Sequence, residues 1–176
     1  MRRRACLVDV LHGIDATIAG GKRVLTPKAD SSSAQIFLSY SGADAFEAGL
    51  LQYAAERMLA PLSAAVWTYQ RDQPTDQRDV AVSLKEQVRQ SAALVFLLTP
   101  TTLVSGATQW MELAYADAYD VPIWVLLHRV PFTELRARES GVPPFLLAGQ
   151  CNPATEWKRV IHEIEARLTV IAKPGE

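Results

Sequence analysis

The chain has 176 residues, of which 49% are hydrophobic and 21% charged, enough apolar material for one globular domain with a packed core and too much for a disordered chain. Its 18 Lys+Arg balance 19 Asp+Glu to a net charge of -1, which argues against the broad positive field of a nucleic-acid-binding protein. The longest apolar run, Ala92 to Leu98, is far too short to cross a bilayer.

At the start, Leu7, Leu11, Ile14 and Ile18 recur at helical spacing, and Gly20-Gly21 would end that helix. The polar stretch from Thr26 to Ser33 reads as a linker, so residues 1–33 are expected to be an amphipathic helix on a tether. Such a helix would pack on the domain's own surface or dock on another copy or a partner. Asp9, His12 and Asp15 interrupt the apolar run that a secretory leader needs after Met1-Arg2-Arg3-Arg4, so the expected location is the cytoplasm. The two cysteines, Cys6 and Cys151, lie far apart and in no ligand spacing, as free thiols of a reducing compartment would. His12, His128 and His162 likewise have no partner spacing for a metal, and no metal is expected.

The main domain is expected over residues 34–172, with 173–176 as a tail that would serve equally as a linker into a further domain. Ile36 to Tyr40 is a strand candidate, stopped by Ser41-Gly42. Asp44 is placed to cap a helix running to about Leu59, with Phe46, Leu50, Tyr53 and Ala54 expected on its inner face. Ala64 to Thr68 is a second strand, followed by a polar loop from Tyr69 to Asp79 that carries Arg71 and Arg78. Val80, Leu84 and Val88 mark a helix from 80 to 90, and Ala93 to Thr99 is a continuous apolar strand ended by Pro100.

A loop from Thr101 to Thr108 then leads to a helix from about Gln109 to Tyr119 and a strand from Pro122 to Leu127. Phe145-Leu146-Leu147 is expected to be the last strand. Asn152 or Thr155 would start a final helix with Trp157, Val160, Ile161, Ile164 and Leu168 along one stripe. Apolar strands alternating with amphipathic helices predict an α/β domain: a flavodoxin-like, three-layer fold with a mostly parallel five-stranded sheet and helices on both faces. Right-handed crossovers would gather the loops 41–44, 69–79 and 99–108 at the carboxyl ends of the strands, where a site is expected.

Ile36-Phe37-Leu38-Ser39-Tyr40-Ser41 followed by Asp44 resembles the opening of Toll/interleukin-1 receptor (TIR) domains. The polar 69–79 segment, the strand ending in Thr99-Pro100, the Trp-and-Glu helix Gln109 to Ala114 and the strand Val121 to Val125 follow in that family's order, covering roughly residues 35 to 170. The resemblance implies one of two roles: an adaptor that assembles with other TIR domains, or an enzyme that cleaves the nicotinamide–ribose bond of NAD with a glutamate on this helix. By matching position that glutamate is Glu112, with NAD as substrate and no separate cofactor. The enzymes of the family commonly act only when TIR domains associate, so a homo-oligomer or filament is expected, controlled by a sensor or effector partner or a fused domain. The bacterial NADase type, acting in immune signalling such as anti-phage defence, is the nearest match.

Glu112 also fits that chemistry as a residue. Breaking an N-glycosidic bond passes through an oxocarbenium-like state that a nearby carboxylate stabilises, and nicotinamide leaves without needing a strong acid. The competing reading is that Glu112 only complements a helix dipole. The NAD-cleaving members often carry a Trp four residues before this Glu. Here that position is Thr108, and Trp110 lies only two residues before, so in a continuous helix it faces about 200° away. Either the helix starts after Trp110 or Trp110 belongs to the core.

Glu112 to Ala118 also resembles the glutamate helix of nucleoside deoxyribosyltransferase-like proteins, which act at the same kind of carbon. The remaining candidate ligand contacts are Ser41, Gly42 and Asp44 for a phosphate, Trp67 and Tyr69 for stacking, Arg71 for a pyrophosphate, Ser105 for a ribose, and Trp110 and Tyr115 for the pocket wall. Each has an ordinary structural reading as well, in packing, capping or solvation.

Overall fold

In a computed structural model, residues 34–73, 80–138, 141–148 and 151–172 are described. The expected N-terminal helix and linker, the 173–176 tail and the loop portion 74–79 with Arg78 lie outside the described residues.

Five strands form one sheet: β1 (Gln35–Ser39), β2 (Ala65–Trp67), β3 (Ala93–Leu98), β4 (Ile123–Leu127) and β5 (Cys151–Pro153). Their order is β2-β1-β3-β4-β5, and every pairing is parallel. The helices between them are α1 (Ala45–Leu59), α2 (Tyr69–Asp72), α3 (Val80–Gln90), α4 (Pro100–Ser105), α5 (Ala107–Ala118), α6 (Phe132–Ala137), α7 (Pro144–Ala148) and α8 (Trp157–Ala172). The flavodoxin-like α/β arrangement expected from the apolar runs is the observed one.

Strand periodicity sorts the core into two layers. Ile36, Leu38, Val95 and Leu97 meet Leu51 of α1 and Trp157, Val160, Ile161 and Ile164 of α8 on one face. Phe37, Leu94, Phe96 and Leu98 meet Leu84 and Val88 of α3 and Leu113 and Ala116 of α5 on the other. Both faces of the central strands are dry, which is why β3 reads as one unbroken apolar run. Each fully buried Leu, Ile or Phe contributes roughly 1.5–3 kcal/mol. No helix among the described residues is long and apolar enough to cross a membrane.

Several local expectations are corrected. On α1 the buried residues are Ala48, Leu51, Gln52, Ala54, Ala55 and Leu59, while Phe46 is 66% and Tyr53 48% exposed. The helix carries two apolar stripes about 180° apart at 100° per residue. The stripe 48-51-55-59 runs the length of the helix and its alanines allow close approach to the sheet, so Phe46 and Tyr53 turn outward, while Ala54 is buried as expected and Leu50 packs partly buried against the core. The 101–108 stretch is not a loop. Thr99 caps α4 through a reciprocal bond with Thr102, and Pro100 occupies its first turn, where its missing N–H costs nothing. The break before α5 falls at Gly106, where a Cβ would lie 2.4 Å from the Thr102 carbonyl oxygen.

Tyr69 begins a one-turn helix, α2, where a plain loop was expected. Phe145-Leu146-Leu147 belongs to α7, not to a strand. Pro144 at its first position has φ preset for a helix, and Leu146 is thereby turned into the second core. The last strand is instead Cys151–Pro153, paired among the described residues with β4 alone. Asn152 therefore lies in β5, and α8 starts at Trp157 after a 3-10 turn over Ala154–Glu156.

Candidate active site

The strand order places β1 between β2 and β3, so the connection from β1 and the one from β3 leave in opposite directions. Open α/β sheets bind ligands at such a switch point, beyond the carboxyl ends of the strands. Here a cleft of about 320 Å³ opens at the end of β1, lined by Phe37, Leu38, Tyr40 and Gly42, with Tyr69 and Gln70 of α2, Val80 and Leu84 of α3, and Thr108 and Glu112 of α5.

Glu112 is the acid in that wall. It is only 5% exposed. The hydroxyl of Ser39, the last residue of β1, donates to Glu112 Oε2 at 2.5 Å. Burial pushes the Glu112 carboxyl up to about 7, against the opposing pull of that hydrogen bond. Desolvation disfavours the charged form, and donation from Ser39 favours it. The result is a carboxyl poised between its two forms near neutral pH, the usual condition of a working acid or base.

Tyr40 lies beside it. Burial raises its phenol, the backbone of Gln70 and the Thr68 side chain pull it back, and the charge of Glu112 adds to the rise. Apolar walls from Phe37, Val80 and Leu84 keep the local dielectric low, so a charge at Glu112 acts strongly on a bound group.

Of the residues singled out in the sequence, Glu112, Gly42 and Tyr69 line this cleft. The others have different work. Asp44 does not cap α1; its buried carboxylate accepts from Thr99 Oγ1 at 2.7 Å, tying the end of β1 to the end of β3. Ser41 is half-buried beside the cleft, and its carbonyl receives the Asp44 N–H at 2.8 Å. Trp67 is a core residue, stacked on Phe37 with ring centroids 4.8 Å apart. Arg71 is not turned to a ligand. It meets Glu56 at 2.7 Å, Asp72 at 2.6 Å and the Val66 carbonyl oxygen at 2.6 Å, which pins α2 to β2 and α1. Ser105 is exposed and donates to the Thr101 carbonyl oxygen at 3.2 Å, inside its own helix.

Helix α5 begins at Ala107, before Trp110, so the helical spacing decides between the two readings of that residue. Trp110 stacks on Phe96 at 5.5 Å and packs with the second core, away from Glu112. Tyr115, with Tyr119, lies under the Lys85 ammonium at 5.9 and 5.8 Å, outside the cleft. Thr108 takes the cleft position one turn before Glu112. Ser39 and Tyr40 belong to the site although neither was singled out for it. Ser39 ends β1 and Tyr40 follows it, and neither carries a signal of its own in the sequence until α5 is placed beside them.

No protein-family model matches the chain, and no curated protein matches it. Among solved structures the chain is similar to the TIR domains in the structure of the activated Roq1 resistosome directly recognizing the pathogen effector XopQ. The identity is 14%, the TM-score 0.44, and the alignment covers 80% of this chain and 84% of that one.

Proposed function

We propose that this chain is a TIR-type NAD glycohydrolase whose reacting carboxylate is Glu112. The observation that carries the reading is the placement of one buried carboxyl, raised to about 7, in the wall of a cleft at the switch point of the sheet. In the reaction the C1′–N bond to nicotinamide breaks and its electron pair leaves on the ring nitrogen, which becomes neutral. The positive charge that grows on the ribose is met by the Glu112 carboxylate. Water then adds at C1′ to give ADP-ribose, or a nucleophile of the adenine adds to give a cyclic product. The phenols of Tyr40 and Tyr69 offer faces and edges to a flat ring, and Gly42 leaves the backbone open to close approach.

The same reading includes assembly of TIR domains as the condition for activity and a role in bacterial immune signalling, both following from the family resemblance of the motifs. Incubation of concentrated protein with NAD, with products separated by chromatography, tests it. Nicotinamide and ADP-ribose, or a cyclic isomer, should appear with wild type and be absent with Glu112→Ala.

A second reading rests on a specific feature: among the described residues no Lys or Arg lines the cleft. A deoxyribosyltransferase-like enzyme acting on an uncharged nucleoside would need none. Turnover of nucleosides with NAD left intact would select it. A TIR adaptor without catalysis would turn over neither.

A further inference from the structure

The two oxygens of Glu112 are not equivalent. Oε2 receives the Ser39 hydroxyl at 2.5 Å, while no hydrogen bond among the described residues engages Oε1, and the residue forms part of the cleft wall. Ser39 itself is 1% exposed and sits at the end of β1, held by the pairing of β1 with β3 through Ser39 and Phe96. A donor fixed on a central strand cannot follow a side chain that swings; it selects one rotamer of Glu112.

We propose that Ser39 is a positioning residue of this cleft, whose hydroxyl anchors Glu112 by one oxygen and leaves the other to face the bound group. The inference deepens the reading of Glu112 as the reacting carboxylate and rests on that reading for its consequence in turnover. Anchoring matters because glutamate has three side-chain torsions, and electrostatic stabilisation requires the charge to be in place before the reaction. The bond also acts on charge, since a hydroxyl donating to a carboxylate favours its ionised form.

The surroundings leave this role to Ser39. Among the described residues, the other titratable groups lining the cleft are the Tyr40 phenol just after β1, which feels the charge of Glu112, and the Tyr69 phenol of α2, and neither supplies a positive charge. Lys85 of α3 is directed to the rings of Tyr115 and Tyr119. Among the described residues, burial raises the Glu112 carboxyl and the Ser39 hydrogen bond opposes that rise.

The test is an NMR titration of the 176-residue chain labelled with carboxyl-13C glutamate, the Glu112 signal being identified by its loss in Glu112→Gln. In Ser39→Ala the midpoint should move up by roughly one unit, as expected for loss of a hydrogen bond to a charged group. Ser39→Cys, close in size with a weaker donor, should move it part of the way and serves if the alanine variant does not fold. Coincident titration curves for wild type and a folded variant would overturn the inference. Where NAD is turned over, the rising limb of the kcat/KM profile should shift upward with the midpoint. If the midpoints separate but no variant releases nicotinamide at any pH, the positioning role stands and the proposed reaction fails.

Discussion

Thr108 and Glu112 stand one helical turn apart on α5 and both face the cleft, while Trp110 between them stacks on Phe96 in the core. The helix thus divides its labour by angle. One face lines the cleft, and the other packs on the sheet.

That division separates two substitutions by their readouts. Thr108→Ala should raise KM for NAD several-fold with the fold intact, since it removes a hydroxyl from the cleft wall. Trp110→Ala should instead lower stability by about 2–4 kcal/mol, near the low end because the ring is only half-buried. Urea melts beside steady-state kinetics check both. Equal melts for Trp110→Ala and wild type would contradict the assignment.

The buried carboxyl has a pH signature. Its value in the folded state is about 7 against 4.5 when exposed, so folding favours the protonated form. Stability is intact below about 4.5 and falls as pH rises through 7, a loss of the order of 3 kcal/mol when complete. Glu112→Gln, which cannot ionise, should match wild type near pH 4.5 and exceed it at pH 8. Denaturant melts of the two proteins at both pH values measure this directly. Activity should run the opposite way, rising with the carboxylate through neutral pH.

Gly106 is needed for a contact and not for an unusual dihedral, its φ being -83°. A Cβ there would meet the Thr102 carbonyl oxygen at 2.4 Å, so Gly106→Ala must push α4 away from α5. A cost of about 1–3 kcal/mol is expected, read as a fall in Tm of roughly 2–4 °C per kcal/mol. An unchanged Tm would show that the junction is looser than described.

Arg71→Ala separates a structural arginine from a pyrophosphate-binding one. Its contacts are to Glu56, Asp72 and the Val66 carbonyl, and its side chain is 32% exposed. Solvent screening limits the loss to about 1 kcal/mol. KM for NAD should not change. A large rise in KM with unaltered stability would return Arg71 to the ligand.

How far the sequence could be read follows from which residues carry a signal of their own. The apolar runs of β1, β3 and β4 and the stripes of α3 and α8 are long enough to declare their period, and they appear where expected. The three-residue β5 does not declare itself, because an edge strand with one neighbour needs neither length nor an apolar face. The competing run at 145–147 is apolar for its own reason, as part of the short helix after Pro143. On α1 two apolar stripes offered themselves, and only packing against the sheet chose between them.

The site shows the same pattern. Glu112 was singled out because its helix resembles the glutamate helix of TIR domains, and its place in the cleft wall fits that expectation. Ser39, its partner 73 positions earlier, was not, because a serine in a strand has no meaning until the helix that faces it is placed. Arg71 misled because loop arginines look free until the carboxylates around them are known.

The most direct test of the central claim is the rate of nicotinamide release from NAD by Glu112→Gln beside wild type at pH 7.5, with both proteins shown to be folded and equally assembled. On the proposed reaction, loss of the Glu112 carboxylate should lower kcat by at least about 10²-fold. Equal rates, with wild type active, would remove Glu112 from the chemistry and contradict the account.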